Sequence, residues 1–338
     1  MPPGPVVAFR TEGGAGVGLG HVRRCLSLAA ALREHGAESC FLLNDDPAVS
    51  AAVHAEGFAV DAFADDPHAL IAFARDRGVR MIVCDSYRLS SDYFRALAPI
   101  RALIVAISDG ADRSLPVHVV VNAGITAPTL HYDVPPDTLL LLGPAYALLR
   151  SEFSIAPTQR PPGDVRRILV TVGGSDAHAL TSRLMSAART GAGDASLDVV
   201  VGPFVEGVEM IEHAARGTGR VVLHTDPPRI RDLMVEADLA ICGGGQTTYE
   251  LAATATPAIA VTIAENQAPS LAGLEAAGTL VRAGEAADPR LDEHVIALTR
   301  NLARDPESRA AMGARGRALV DGRGAVRVAR ALLDTSRV

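Results

Sequence analysis

The chain has 338 residues, 48% hydrophobic and 21% charged, which is enough apolar material for two ordinary domains and too little charge for a disordered chain. Its 32 basic residues are all Arg, since no Lys occurs, and this excludes Schiff bases, a pyridoxal anchor and a P-loop lysine. A net charge of −7, 4% aromatic residues and no Trp argue against nucleic acid as a partner, because neither a basic footprint nor stacking platforms are present.

Short β-branched runs alternate with Ala-, Leu- and Arg-rich stretches of helical period, the pattern of repeated βα units and of parallel sheets buried on both faces. In the first half this predicts strands at 6–10, 39–43, 81–84, 103–107, 117–121 and 139–142, with an amphipathic helix over 21–34. The segment 156–164, APTQRPPGD, breaks the alternation and reads as an interdomain linker. Strands resume at 167–172, 197–201, 220–223, 239–242 and 258–262, with a helix over 248–254 and a helical region over 291–333 interrupted by Gly between 313 and 324. The fold class expected is α/β, two doubly wound Rossmann-like domains facing a cleft, 1–155 and 165–317, with a terminal helix in 318–338 returning to the first. Cys25, Cys40, Cys84 and Cys242 form no CxxC pair and read as buried thiols. No leader pattern and no apolar run of membrane-spanning length is visible, so a cytoplasmic chain without membrane insertion is expected.

Ligands of open parallel sheets bind beyond the carboxyl ends of the strands, so the loops there carry the functional reading. After the first strand, Gly13 to His21 forms a glycine-rich loop entering a helix, with Gly18 and Gly20 allowing close approach of a ligand. No frame of it fits GxGxxG, which weakens a dinucleotide reading with Asp45 or Asp46 on a ribose. His21 stands at the helix start, where the dipole disfavours added positive charge, as suits a general base. In the second half, Gly244-Gly245-Gln246-Thr247-Thr248-Tyr249-Glu250 offers backbone N–H groups and hydroxyls to a diphosphate and Glu250 to ribose hydroxyls. Gly173-Gly174-Ser175-Asp176 is a further strand-end turn, and Glu265-Asn266-Gln267 is a polar patch suited to sugar or phosphate groups. Asp45-Asp46 and Asp65-Asp66 read as helix caps or solvated turns, and no metal-binding spacing is present.

Arg10, the run Gly18 to Leu26 (GLGHVRRCL), Asp85-Ser86-Tyr87, Gly143 to Arg150 (GPAYALLR), Gly173 to Asp176 and Ala264 to Gln267 together resemble the PseG/SpsG group of UDP-sugar hydrolases of pseudaminic acid pathways. These are relatives of the MurG glycosyltransferases with a GT-B fold. The resemblance implies a metal-independent, cofactor-free hydrolase in which water attacks C1 of a nucleotide-linked amino or deoxy sugar with inversion. It makes His21 the base and sets Tyr87 beside it. Arg10, Arg24, Asp85 and Asp109 fall on the sugar side, and the loops of the second domain fall on the nucleotide, UDP being expected. Tyr249 stands where one branch of the group has Asn, Asp109-Gly110 where an acidic pair is common, and Glu12 where Asp is frequent. The alternative is a GT-B glycosyltransferase passing the sugar to an acceptor other than water. A non-catalytic nucleotide-sugar binder is a third reading. A monomer or weak dimer is expected.

Overall fold

The computed structural model describes residues 4–14, 17–62, 65–158, 163–174, 176 and 179–336. The chain divides into two compact units, Met1–Ser151 with Gly322–Val338, and Glu152–Asp321. The first unit winds β1 (Val6–Thr11), α1 (Gly20–Arg33), β2 (Glu38–Leu43), α2 (Pro47–Ala55), β3 (Ala59–Ala62), α3 (Pro67–Asp76), β4 (Val79–Asp85), α4 (Ser91–Ala96), β5 (Leu103–Ile107), β6 (Val119–Asn122) and β7 (Leu139–Leu142). All seven strands are parallel, in the order β3-β2-β1-β4-β5-β6-β7. The winding reverses between β1 and β4, and that switch point leaves a crevice at the strands' carboxyl ends. One sheet face packs Ala8, Ile82, Cys84 and Ile104 on Leu70, Ile71 and Phe94 of α3 and α4.

The second unit runs β8 (Arg167–Thr171), α5 (Leu180–Ala192), β9 (Ser196–Val201), α6 (Val208–Thr218), β10 (Val221–Thr225), α7 (Ile230–Glu236), β11 (Leu239–Gly243), α8 (Thr247–Ala253), β12 (Ala258–Thr262), α9 (Ala268–Ala276), β13 (Val281–Glu285), α10 (Leu291–Ala303) and α11 (Pro306–Leu319). Its six parallel strands are ordered β10-β9-β8-β11-β12-β13, with the switch point between β8 and β11. The chain then returns to the first unit as α12 (Gly324–Thr335), whose Val328, Ala329 and Leu332 are fully buried and which packs on α1.

Two strands escape the sequence pattern, β3 and β13, both sheet edges, whereas the opposite edges β7 and β10 keep runs apolar enough to be read. An edge strand buries one flank only, so AVDA and VRAGE carry charge and Gly where the central strands read as continuous apolar runs. The helical region over 291–333 breaks twice, at 304–305 and at 320–323, where Gly322 holds φ +74° within the glycine-bearing span expected to interrupt it. Asp305 caps α11 by accepting from Ser308 N at 2.9 Å, with Pro306 in the first turn. Gly313 and Gly316 lie inside α11, where an added Cβ would meet Ala255 O at 2.2 Å and Ala252 Cα at 3.0 Å. These glycines mark the close approach of α11 to the α8 segment, not a helix break.

Candidate active site

His21 is the second residue of α1 and 6% exposed, and Arg24 and Cys25 follow it on the same helix face at i+3 and i+4. Asp85, the last residue of β4, is fully buried opposite this face. Its Oδ1 lies 2.6 Å from His21 Nδ1 and 2.6 Å from Arg24 Nη2, while its Oδ2 accepts from Arg24 Nε at 2.6 Å and from the Cys25 thiol at 3.6 Å. Arg24 Nη2 also lies 3.1 Å from His21 Nδ1, but the carboxylate is the nearer partner and only accepts, which assigns the proton to Nδ1 and leaves Nε2 as the acceptor nitrogen. Burial alone would raise the Asp85 carboxyl, but Arg24 and then His21 outweigh it and hold it down at about 2. Arg24 also donates from Nη1 to Asp109 Oδ1 at 2.6 Å, just beyond β5. Asp109 is lowered against its own burial by that guanidinium. The Tyr87 hydroxyl donates to Asp109 Oδ2 at 2.5 Å, and its ring meets the His21 ring edge-on with centroids 4.7 Å apart. Partial burial and the adjacent Asp109 carboxylate push the Tyr87 phenol up.

His21, Arg24, Asp85, Tyr87 and Asp109 therefore form one hydrogen-bonded cluster at the β1/β4 switch point. Arg10 is not part of it. Arg10 is paired across β1 and β4 with Cys84, whereas its neighbour Thr11 is paired with Asp85. Alternation thus turns Arg10 to the α3/α4 face, beside Tyr93 and in an ion pair with Asp65. Asp65 continues into a second network that the sequence did not reveal. Ser86 Oγ donates to buried Glu12 Oε1 at 2.7 Å and accepts from Arg88 N at 3.0 Å, and Arg88 reaches Asp65 at 3.5 Å. Its members lie up to 74 positions apart, so no local motif marks them.

The glycine loop is pinned from both sides. Gly14 and Gly18 form an antiparallel bridge, N to O 2.7 and 3.2 Å, and Asn44 exchanges hydrogen bonds with Gly13 at 2.9 and 3.1 Å. Gly18 holds φ +78°. Gly20 has no atom within 4 Å of a built Cβ, so contacts among the described residues do not demand a glycine there. Asp46 caps α2 and Asp66 caps α3, which occupies both carboxylates locally.

In the second unit, Gly173 (φ +111°) and Gly174 follow β8 at the switch point, while Ser175 lies outside the described residues. Asp176 accepts from Thr181 N at 2.9 Å in the first turn of α5. After β11, Gly244 is crowded, since a Cβ would meet the Leu271 side chain at 2.6 Å, but Gly245 has nothing within 4 Å. The Thr248 hydroxyl donates to Gly245 O at 2.9 Å and Gln267 Oε1 accepts from Ile263 N at 2.9 Å, so both shape their own turns. Thr247, partly exposed, has no hydrogen-bond partner among the described residues. Tyr249 OH lies 3.0 Å from Ser270 Oγ, Glu250 is buried, and Gln246 and Asn266 reach the surface beside them. Among the described residues no three His, Cys, Asp or Glu side chains are grouped to hold a metal, and no helix is long and apolar enough to cross a membrane. The four cysteines are free and buried.

No family model matches the chain. It is 27% identical over 202 residues to the spore coat polysaccharide biosynthesis protein SpsG of Bacillus subtilis, covering 58% of this chain and 56% of that one. It is 24% identical over 256 residues to an uncharacterised protein of Methanocaldococcus jannaschii, covering 72% and 53%. The chain thus spans about half the length of these curated relatives. Among solved structures, MurG of Acinetobacter baumannii superposes with TM-score 0.68 at 15% identity, covering 98% of this chain and 99% of that one. The spinosyn forosaminyltransferase SpnP gives 0.69 at 15%, covering 99% and 100%. The glycosyltransferase VinC, solved with dTDP, gives 0.66 at 14%, covering 98% and 99%. With its two doubly wound parallel sheets, the chain has the GT-B fold of these glycosyltransferases.

Proposed function

We propose that the protein transfers a glycosyl group from a nucleotide-linked sugar to an acceptor hydroxyl, with inversion at the anomeric carbon and His21 as general base. The observation that carries this reading is the His21–Asp85 pair, 2.6 Å apart at the switch point of a GT-B sheet. The acceptor oxygen bonds to C1 while the bond from C1 to the diphosphate oxygen breaks, and that electron pair leaves with the nucleotide. The acceptor proton passes to Nε2 of His21, and Asp85 keeps the ring in the required tautomer. Nucleotide binding is assigned to the second unit, through the strand-end turns at Gly173, Gly174 and Ser175, the run Gly244 to Glu250, and Asn266 with Gln267. The dTDP held by VinC supports a pyrimidine nucleoside diphosphate, with UDP the first to try. Backbone N–H groups at these turns carry the leaving group in a metal-independent reaction, so chelator leaves the rate unchanged.

Hydrolysis is the second reading, favoured by the similarity to SpsG and by the ordered motifs resembling the PseG/SpsG hydrolases. The step is the same with water as the acceptor. One experiment separates them: the protein is incubated with UDP-, dTDP-, CMP- and GDP-linked amino and deoxy sugars, and products are followed by mass spectrometry. Free sugar equal to released nucleotide without an acceptor assigns hydrolysis. Release only on addition of an acceptor alcohol assigns transfer, and binding of no nucleotide sugar sinks both.

A further inference from the structure

We infer that Asp109 supplies the net negative charge that the His21 cluster requires when the imidazole takes up a proton, acting through Arg24 as a positioning residue. The inference rests on the reading of His21 as the base. In a simple His–carboxylate pair, protonation of the ring creates an ion pair with an otherwise uncompensated carboxylate. Here that charge is already cancelled. Arg24 grips Asp85 in bidentate fashion at 2.6 and 2.6 Å, and with His21 Nδ1 and the Cys25 thiol all four acceptor directions of the carboxylate are used. With Asp85 and Arg24 alone, the cluster would pass from neutral to positive as His21 accepts a proton.

Asp109 changes that sum. Its carboxylate lies 2.6 Å from the remaining arm of Arg24, so two carboxylates face one guanidinium and the cluster passes from net negative to neutral instead. The neighbouring network contributes nothing to the balance, since Glu12 and Asp65 are matched there by Arg10 and Arg88. Asp112 and Arg113 likewise offset each other. Through its second oxygen Asp109 also holds the Tyr87 hydroxyl at 2.5 Å, which fixes the ring that packs on His21. Arg24, 16% exposed, keeps its two hydrogen bonds to Asp85, so replacing Asp109 does not strand a buried charge.

The test is Asp109→Asn, which removes the charge, keeps one oxygen to accept from Arg24 and presents an amide N–H in place of the oxygen that accepts from Tyr87. His21 is followed by 15N NMR in the free protein, without any substrate. The variant takes up its ring proton at a pH lower by about one unit than the parent, and Asp109→Glu restores the parental curve. With a nucleotide-linked sugar that the parent turns over, Asp109→Asn lowers kcat about tenfold and leaves KM within about twofold. A His21 titration that coincides in parent and Asp109→Asn, or that moves to higher pH, overturns the inference. Failure of the underlying reading looks different: His21→Ala would then retain turnover, whatever Asp109→Asn does to the ring.

Discussion

At the scale of single residues, the cluster predicts a division between chemistry and binding. His21→Ala removes the acceptor nitrogen in the first unit, whereas the loops proposed to bind nucleotide belong to the second. Turnover is therefore lost while UDP affinity, measured by calorimetry, stays within about twofold. Weakened UDP binding at unchanged turnover would sink the role given to His21. Asp85→Asn acts less directly: its amide can donate where the carboxylate only accepts, which frees the ring to adopt the wrong tautomer, and kcat falls on the order of 10²- to 10⁴-fold with KM little changed. Asp85 also has a consequence for stability. Its carboxyl is held at about 2 in the fold against an ordinary 3.8, which contributes about 2 kcal/mol. Because the folded value is the lower one, that stability is fully present above about pH 4 and is lost as pH falls through about 2. Urea unfolding of the parent across this window shows a loss that Asp85→Asn lacks, and equal pH slopes in the two proteins would refute the assignment.

Secondary-structure elements carry the next prediction, in the two turns that enter α1 and α8. Most glycines there answer to the chain itself: Gly18 holds a positive φ and Gly244 faces Leu271. Gly20 and Gly245 have neither constraint, with no described atom within 4 Å of a built Cβ. Their small size is then useful to a ligand that approaches the backbone. Gly20→Ala, at the first residue of α1, leaves the thermal midpoint unchanged or slightly raised, since Ala is the better helix former by up to about 1 kcal/mol, and Gly245→Ala, ahead of α8 and without a positive φ, leaves it unchanged. Each nevertheless weakens catalysis or nucleotide binding about tenfold, and unaltered kinetics with unaltered Tm would show that the turns do not meet substrate. How much was legible beforehand follows the same physics. Central strands and the glycine turns announce themselves because burial on both faces and tight turning leave local residue patterns. The edge strands β3 and β13 did not, being half solvated. Gly313 and Gly316 misled because a glycine required by helix packing looks in sequence like one that ends a helix. His21 stands in a local glycine-turn pattern, while Asp85 and Tyr87 enter only through the family resemblance, and the structure brings the three side chains together. The Glu12–Ser86 contact, 74 positions apart, exists only once β1 and β4 lie side by side, and the Arg10–Asp65 contact, 55 apart, only once the turn before α3 meets β1.

For the whole molecule, the two sheets have separate cores and separate switch points, and the proposed function gives each unit a different end of the substrate. The chain order alone does not say which unit takes which end, because both are βα alternations with glycine turns. The proposed assignment rests on side-chain chemistry. The first unit concentrates a buried His–Asp–Arg cluster at its switch point, whereas the turns at the second unit's switch point offer glycine backbone and the Thr247 hydroxyl. Nucleotide alone, without a sugar, should therefore engage the second unit. Saturating UDP at about one hundred times its Kd stabilises the native state by about 2.7 kcal/mol, read as a concentration-dependent rise in Tm. Hydrogen exchange then slows in the segments around 173–174, 243–250 and 264–267, while α1 and the end of β4 exchange as in the free protein. Protection concentrated at α1 and β4 would reverse the assignment of the two units and, with it, the separation of binding from base catalysis on which the His21→Ala prediction depends.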